Sequence, residues 1–583
     1  MKNFLIWILC LVQIPGTGPG MTEVGPGMTE VGPGMTEGTG MVMTGTEGWE
    51  EAALLLSGAS DAESLDESVW ERFHVLHERP LPLNLSGRSR LLSSGLFTAY
   101  QVASLMDYRS RHGDILSAEE LALVDGFGRE TAAALGHFVR FDSPTLPGAP
   151  SADSLRSRAR MEGEFRTKGP GGKYRVHFGE NVSAGFAWRG PTPGFFGVYY
   201  GKDHLGKVAV GQFHARFGQG LALWTGFVLE DLLSPSSLVR KASGISPSWS
   251  YNGDTTLRGV AADAAAGRFD MTVFAALEGL GGNAGVSWRS GRAAVTLWWP
   301  EYGRRPRVAA DLRCNPRGRQ YFAEVACEPL QGAFAATGGM AAPLGEHLKG
   351  AVMLKALPSA YSHKKNGMYG GAASLSFRAG RYVSLAGKTG FGASEIRWSG
   401  ALAGEFYALP VPGTEPGRRM GRLKSLLQWQ VSPSVRMQAR LSGRWRNYSN
   451  EPSRMEGRLD ALWEAARWSV AVRVHGVRCG GWGLLSYAEG GWKGALLSVS
   501  LRGTVFSTGG WASRIYSYER DAPGNFNVPA YYGRGWALTG LCGLRKDWKH
   551  ASVKVWARAA WVRKKPDNKV GLAIQCQWTI WGS

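Results

Sequence analysis

Apolar and polar residues alternate along most of the chain after about residue 155. In Trp468–Val474, Trp, Val, Val and Val alternate with Ser, Ala and Arg; in Leu572–Ile580, Leu, Ile, Cys, Trp and Ile alternate with Ala, Gln, Gln and Thr. A period of two places apolar side chains on one face of a β-strand and polar side chains on the other. Such runs recur between Gly, Asn, Asp and Pro residues, so residues 155–583 are predicted to form a mainly β domain.

Two architectures fit this pattern: a soluble β-sandwich or propeller, and a transmembrane β-barrel. The long strands, the 23 Trp and 18 Tyr residues and the polar or small residues on the second face favour the barrel, whose lumen is wet. In hydrocarbon every backbone group must be paired, so such strands close on themselves. The length of residues 155–583 indicates a large antiparallel barrel of roughly 16–20 strands, with an even number.

The chain before the barrel has a helical pattern. Apolar residues recur at helical spacing in Glu51–Leu56 and Leu65–Leu76, which predicts an acidic helical segment over residues 50–83. Residues 84–141 are predicted to form a small all-α domain of two helix–hairpin–helix units in tandem. Ser117 opens one of its helices as a cap, followed by Glu120 three residues later.

The remaining segments connect or target these regions. Residues 1–20 carry one Lys, an apolar run and small residues, which is typical of a secretory signal peptide. Residues 21–49 contain the repeated heptad MTEVGPG and are predicted to be a low-complexity tether. Residues 142–154 are rich in Pro and small residues and are predicted to be a linker. No later segment is long and apolar enough for a transmembrane helix.

Charge is unevenly distributed between the two parts of the chain. Residues 1–142 contain 9 basic and 19 acidic residues, whereas residues 143–583 contain 58 basic and 28 acidic residues. The strongly basic part favours polyanions such as lipopolysaccharide head groups or nucleic acid, without specifying which. The opposite signs also allow the two parts to attract each other.

The two hairpins offer a candidate phosphate site. Backbone N–H groups and the helix dipole favour an anion at the N-terminus of a helix. Gly126 and Gly128 in the second hairpin, and Gly95 in the first, permit a positive φ and a close approach of the backbone. Arg129 and Thr131 follow in the first helical turn, within reach of a phosphate. Contacts of this kind would bind DNA without reading its sequence.

The charge of this domain supports a different interpretation. Residues 84–142 contain six Arg, no Lys and seven acidic residues. Nonspecific affinity for DNA comes mainly from several contacts between Lys or Arg and phosphate. The alternative is therefore a retained scaffold or a module that contacts a protein.

Motifs for catalysis and metal binding are absent from the sequence. It has no G-x-S-x-G, H-E-x-x-H or P-loop motif, and its 11 His and 6 Cys residues show no ligand spacing. We expect no enzymatic activity, no metal and no cofactor. A catalytic site assembled from distant strands is the alternative.

The hairpins resemble those of ComEA-type competence proteins. The whole chain is similar to a group of Bacteroidota outer-membrane proteins with an N-terminal helix–hairpin–helix region and a large C-terminal barrel. Three stretches carry this resemblance: FGQGLALWTGF (Phe217–Phe227), SYNGDTTLRGVA (Ser250–Ala261) and YSYERDAPGNFNVPAYYGRGW (Tyr516–Trp536). The resemblance implies a barrel in the outer membrane of a Gram-negative bacterium, contact with membrane lipid and with the barrel-assembly machinery, and a helical domain in the periplasm.

Two functions follow as expectations. The first is an outer-membrane barrel whose periplasmic hairpin domain binds DNA, as in DNA uptake, or a periplasmic protein partner. The second is a solute channel, or an assembly or structural protein, whose helical domain is a plug or a docking module.

Overall fold

The computed structural model describes the chain from Gly48 to Trp581 with internal gaps. The gaps are residues 61, 144–158, 190–191, 202–203, 229–230, 250, 252–255, 289, 301–304, 346, 363–366, 388–389, 410–417, 433, 448–451, 524, 526 and 565–567. The predicted signal peptide lies outside the described residues, as do almost all of the tether and most of the linker.

Six α-helices, a short 3-10 helix (Ala62–Ser64) and one small sheet make up the described N-terminal part. The helices are α1 (Trp49–Ser57), α2 (Glu67–Glu78), α3 (Arg88–Ser93), α4 (Ala99–His112), α5 (Ala118–Leu121) and α6 (Gly128–Leu135), and the two parallel strands are β1 (Leu81–Pro82) and β2 (Val139–Arg140). Ser117 caps α5 by accepting a hydrogen bond from Glu120 N, as predicted. Thr98 and Gln101 form a capping box at the start of α4.

These helices share one apolar core. Trp70 and Phe73 of α2 are buried in the same cluster as Leu105 of α4 and Leu135 of α6. The acidic segment over residues 50–83 and the region over residues 84–141 therefore pack as one unit. We call residues 48–143 the helical domain.

The rest of the chain forms a barrel. Its strands and one short inner strand are β3 (Ala159–Arg166), β4 (Gly171–Phe178), β5 (Val182–Arg189), β6 (Thr192–Tyr200), β7 (Leu205–Arg216), β8 (Gly244–Pro247), β9 (Leu257–Ala266), β10 (Phe269–Ala276), β11 (Gly279–Trp288), β12 (Gly291–Pro300), β13 (Arg307–Cys314), β14 (Gln320–Glu328), β15 (Ala333–Pro343), β16 (Leu348–Leu357), β17 (Met368–Gly387), β18 (Gly390–Leu409), β19 (Arg418–Ser432), β20 (Val435–Arg446), β21 (Arg454–Glu464), β22 (Trp468–Arg478), β23 (Trp482–Lys493), β24 (Leu497–Thr508), β27 (Arg534–Asp547), β28 (Ala551–Lys564) and β29 (Asn568–Trp581). The small strands β25 (Ile515–Tyr516) and β26 (Ala530–Tyr531) and the helix α7 (Ser359–Ser362) lie in loops.

The barrel is closed, antiparallel and 24-stranded, with the first strand β3 paired to the last strand β29. The short β8 pairs only with β7, which also pairs directly with β9. The predicted mainly β barrel with an even number of strands is confirmed. The number of strands exceeds the predicted range because several strands have only eight residues and many connections are tight, as between Ala266 and Phe269.

The two faces of the wall differ as a membrane barrel requires. On β22, Val470, Val472 and Val474 are exposed on the outer face, whereas Arg473 and His475 are buried on the inner face. An apolar exterior and a polar interior are the reverse of a soluble sandwich, whose apolar face lies inside. The observed direction of the alternation supports the transmembrane architecture.

Strand connections differ in length at the two ends. Consecutive hairpins alternate between ends, and the connections over residues 217–256 and 509–533 lie at the same end. We call it the long-loop end. The barrel begins and finishes at the opposite, short-turn end, which faces the periplasm in outer-membrane barrels.

The helical domain lies inside the barrel. Its residues contact inward-facing groups all around the wall: Glu67 with Arg166 of β3, Glu71 with Lys173 of β4, Arg88 with Asp270 of β10, Glu51 with Arg436 of β20, Glu63 with Arg473 of β22, and Glu78 with Lys554 of β28. The resemblance implied a helical domain in the periplasm, and this expectation is corrected to a position within the lumen of the barrel. The lumen of so many strands is wide, and the acidic domain is attracted into it by the basic wall.

Candidate functional site: the occupied lumen

One face of α2 is acidic and meets a basic strip of the wall. Glu67, Glu71 and Glu78 lie on one face because positions four and eleven residues apart nearly coincide around an α-helix. Their partners lie on β3, β4 and β28, on both sides of the barrel seam, and are, in the same order, Arg166, Lys173 and Lys554. The opposite face carries Trp70 and Phe73 into the core. Helix α2 therefore joins the core of the domain to the wall.

A second contact is fully buried. Glu63 Oε1 accepts hydrogen bonds from Arg473 Nη1 at 2.9 Å and from the backbone N of Tyr518 at 2.7 Å. Arg473 Nε also donates to Asp460 Oδ1 at 2.6 Å. A carboxylate enclosed in this way needs charged and hydrogen-bonding partners to offset its desolvation.

Glu180, in the turn between β4 and β5, gathers three arginines of the helical domain. Its carboxylate lies 2.8 Å from Arg140 Nη2 and 3.7 Å from Arg79 Nη2, and it also pairs with Arg90. Burial disfavours the charged form of Glu180, but Arg90 and Arg79 outweigh this effect and lower its pKa. Burial lowers the pKa of Arg79 to about 10. This cluster ties the domain to the short-turn end.

Two groups on α2 titrate abnormally. Burial raises the pKa of Glu71 despite the opposing charge of Lys173. Burial lowers the pKa of His74, although Glu78 lies close to it. Both shifts follow from the removal of a charged form from water.

The stretch FGQG, part of the first motif, forms a tight turn around a carboxylate. The backbone N–H groups of Gln219, Leu221 and Ala222 donate to Glu324 on the inner face of β14. Gly218 has φ +55°, and a Cβ there would approach the carboxylate to 2.8 Å. This glycine therefore permits the close approach of backbone and carboxylate.

The long loop over residues 509–533 also enters the lumen. Tyr518 is buried in the core of the helical domain. Arg520 Nε pairs with Glu489 Oε1 on the wall at 2.8 Å. The third motif thus connects the wall to the helical domain, as the buried backbone contact of Tyr518 with Glu63 also shows.

The predicted residues of the second hairpin lie together at the surface. Gly126 has φ +88° and Gly128 φ +71°, as expected for hairpin glycines. Gly126, Gly128 and Arg129 are exposed, and Thr131 is partly buried. Gln101 Nε2 donates to Gly126 O at 2.9 Å, so the turn is held against α4.

The first hairpin is positioned differently. Gly95 also has a positive φ of +70°, but a Cβ there would meet the Arg72 guanidinium at 2.5 Å. The neighbouring Ser93 lies 3.3 Å from the Tyr200 hydroxyl and accepts a hydrogen bond from Ser246 at its carbonyl. Gly95 therefore lies in a hairpin packed against the wall, apart from the exposed glycines.

Sequence patterns alone did not indicate the residues that fix the helical domain and the connection over residues 217–256 in the lumen. Glu67, Glu71 and Glu78 could have been found from the sequence, because their spacing places all three on one face of a predicted helix. The buried Glu63 and Glu324 had no such signal, because their partners are more than a hundred residues away in the chain.

A cavity of about 760 Å³ lies between the helical domain and the wall. A smaller cavity of about 280 Å³ is lined by Trp49, Trp70 and Tyr518 among others. The described part of the chain contains no cluster of three or more His, Cys, Asp or Glu residues suited to a metal ion. Its helices are all too short or too polar to cross a membrane.

No protein-family model matches the chain, and no curated protein matches it. Among solved structures, it is similar to the FrpB iron transporter of Neisseria meningitidis at 9% identity and a TM-score of 0.28, over 73% of this chain and 81% of that chain. It is similar to OccK5 (OpdH) of Pseudomonas aeruginosa at 10% identity and a TM-score of 0.27, over 73% of this chain and 98% of that chain.

The ferric-catecholate import receptor Fiu of Escherichia coli K12 is similar at 9% identity and a TM-score of 0.28, over 73% of this chain and 81% of that chain. Similarities of this size concern the fold alone. The pairing of its own strands makes this chain a 24-stranded barrel of outer-membrane type, with a helical domain in its lumen.

Proposed function

We propose that this chain is a gated outer-membrane pore for solutes and that the helical domain is its plug. Barrels of 16–18 strands leave an aqueous channel, and 22-stranded transporters hold a plug. A barrel of 24 strands therefore has room for a folded domain. The observation that carries the proposal is the pairing of the acidic face of α2 with Arg166, Lys173 and Lys554 of the wall.

Charge pairing of this kind suits a reversible closure. Ion pairs in a wet lumen weaken when water and salt reach them, whereas a continuous apolar interface would not release. Apart from Tyr518, the buried residues of its apolar core belong to the domain itself, so most of its packing would survive a shift within the lumen. Passage of a solute then needs a rearrangement of the domain and no unfolding of the barrel.

Conductance in planar bilayers tests this function. We expect low conductance for the full chain and large, steady conductance when residues 48–143 are deleted. Deletion of residues 21–47 is the control and should leave conductance low. Heat-modifiable gel mobility would verify barrel assembly in each case.

A charge-reversed chain, with Glu67, Glu71 and Glu78 all changed to Lys, tests the same point without shortening the chain. It should open more often than the unchanged chain. Equal conductance of the full, deleted and charge-reversed chains, all assembled, would refute the plug.

Localisation follows from the same proposal and from the resemblance to the Bacteroidota group. The outer face is apolar, and the barrel ends at the short-turn end, so we expect that end to face the periplasm. Cell fractionation should recover the protein in the outer membrane, and a tag inserted after Leu330, in the exposed turn between β14 and β15 at the long-loop end, should be accessible from outside intact cells.

The exposed second hairpin supports a second candidate, contact with DNA from the periplasmic side. Gly126, Gly128 and Arg129 are exposed, but Arg88, Arg90 and Arg140 are engaged with acidic wall residues. Few cations are left for phosphate, so we expect weak binding.

Anisotropy of a labelled duplex with the full chain in detergent would test this candidate. Binding at about 50 mM salt should be lost at about 200 mM and in Arg129→Glu. Binding unaffected by Arg129→Glu would point to another surface. No binding even at low salt would favour a periplasmic protein as the partner of this hairpin.

A further inference from the structure

The larger cavity lies beside the helical domain at the short-turn half of the barrel. Its lining includes Glu51 of α1, Lys349 near the start of β16 and Arg436 near the start of β20. Leu233, Ser234 and Pro235 of the long loop over residues 217–256 also line it. Its volume of about 760 Å³ lies within the range of small-molecule sites.

Its wall carries a ladder of hydrogen bonds across three strands. Ser399 Oγ donates to Gln428 Oε1 at 3.2 Å, and Gln428 Nε2 donates to Gln438 Oε1 at 3.0 Å. The ladder ends at Gln438 Nε2, which is buried and has no hydrogen-bond partner. Gln438 is only 9% exposed. A buried N–H group without an acceptor is costly, and a ligand oxygen would satisfy it.

Two of the carboxylates that line the cavity are already neutralised by the protein. Glu51 pairs with Arg436 at 2.9 Å, and Asp460 accepts hydrogen bonds from Arg458 and Arg473. The polar groups left to a ligand include the amides and hydroxyls of the ladder. Leu54, Leu233 and Leu426 provide apolar surface beside them.

We propose that this cavity binds a small, neutral, polyhydroxylated solute of about disaccharide size. Hydroxyl groups both accept from Gln438 Nε2 and donate to serine and amide oxygens, and the C–H faces of a sugar pack on leucine side chains. A cationic solute would find Glu51 and Asp460 already paired, and an anionic solute would find Arg436 engaged by Glu51 and Lys349 exposed to solvent. This proposal rests on the proposed function, because it takes the cavity to hold the solute before the solute passes through the barrel.

The connection over residues 217–256 forms one side of the cavity. The backbone N of Ser60 donates to Asp231 Oδ2 at 2.5 Å, and Ser374 Oγ donates to Leu233 O at 3.4 Å. The loop is thereby fixed to both the helical domain and the wall. The site is built from three parts of the chain, so a bound solute contacts the groups that must separate for passage.

Saturation-transfer-difference NMR on the full chain tests the site. The chain is held in a detergent without a sugar head group, and the probes are sucrose and, as a charged analogue, gluconate. We expect transfer to sucrose and little to gluconate. Gln438→Leu should weaken sucrose binding about 3- to 10-fold, as expected for the loss of one neutral hydrogen bond.

Two further variants guard against misfolding and nonspecific effects. Leu55→Trp fills the cavity from the exposed face of α1, leaves the apolar core of the domain intact and should abolish transfer. Gln577→Leu removes an inner-wall amide whose Nε2 donates to Glu164, outside the cavity, and should leave binding unchanged.

The assignment would be overturned by absence of transfer to sucrose, by preference for gluconate, or by sucrose binding in Gln438→Leu and Leu55→Trp as strong as in the unchanged chain. Binding needs no passage, so this result is independent of the conductance test. Sucrose binding with unchanged conductance after plug deletion would reject the gated pore and retain the site.

Discussion

Glu63 of the helical domain and Arg473 of strand β22 form a charge-assisted hydrogen bond of 2.9 Å in the interior of the barrel. Their side chains are 0% and 1% exposed. The same Glu63 oxygen accepts from the backbone of Tyr518 in the long loop. One carboxylate therefore connects plug, wall and loop.

The substitution Glu63→Gln should loosen this connection. It removes the negative charge and leaves Arg473 with less compensation, which costs about 3–5 kcal/mol for a buried pair that loses one partner. We expect more frequent openings in planar bilayers and a lower midpoint of thermal unfolding. Glu51→Gln is the matched control, because the Glu51 side chain is 59% exposed and its pair should be worth about 1 kcal/mol or less. Equal effects of the two changes would contradict this role of Glu63.

The pair of Glu71 and Lys173 should show coupling in a double-mutant cycle. Lys173→Glu alone places two acids together beside α2 and should raise conductance. Adding Glu71→Lys restores opposite charges and should recover closure, with a coupling free energy of about 0.5–3 kcal/mol. Single and double variants that simply add would show that the two side chains do not interact.

Gly218→Ala should disturb the turn that surrounds Glu324. The change adds strain at a positive φ, about 1–2 kcal/mol, and brings a Cβ to 2.8 Å from the carboxylate. Faster proteolysis within residues 217–249 would reveal the effect. Gly332→Ala is the control, since its φ is +63° but no atom lies within 4 Å of the added Cβ. Gly332→Ala should show the effect of backbone strain alone. A larger loss of local stability in Gly332→Ala than in Gly218→Ala would contradict the role assigned to Gly218.

Acidification should favour release of the plug through His74. The pKa of His74 is lowered by burial from 6.5 in the plugged state. A released plug with a solvated His74 therefore binds more protons below pH 6.5, so closure loses stability as the pH falls below this value. Conductance should therefore rise as the pH is lowered from about 7.5 to about 5.5.

His74→Gln should remove this rise. Glu71 has a raised pKa, so its protonation acts in the opposite direction and stabilises the closed state at low pH. A stronger closure on acidification in both the unchanged chain and His74→Gln would assign the pH response to Glu71 instead.

Local patterns in the sequence predicted several elements well. Period-two alternation identified the barrel, because each strand shows its two faces directly in the order of its residues. The serine cap at Ser117 and the positive φ angles at Gly126 and Gly128 are likewise local properties. The predicted number of strands was too low because several strands have only eight residues and many connections are tight, as between Ala266 and Phe269.

The sequence by itself determined an amphipathic wall, an acidic helical domain before it and the opposite charges of the two. Only the tertiary structure decided that the domain lies inside the barrel. Attraction between opposite charges has no preferred geometry, whereas the pairing of Glu63 with Arg473 and of Glu324 with the FGQG turn depends on which distant strands become neighbours. Barrel closure sets those neighbours, because it fixes where every inward side chain stands around the lumen.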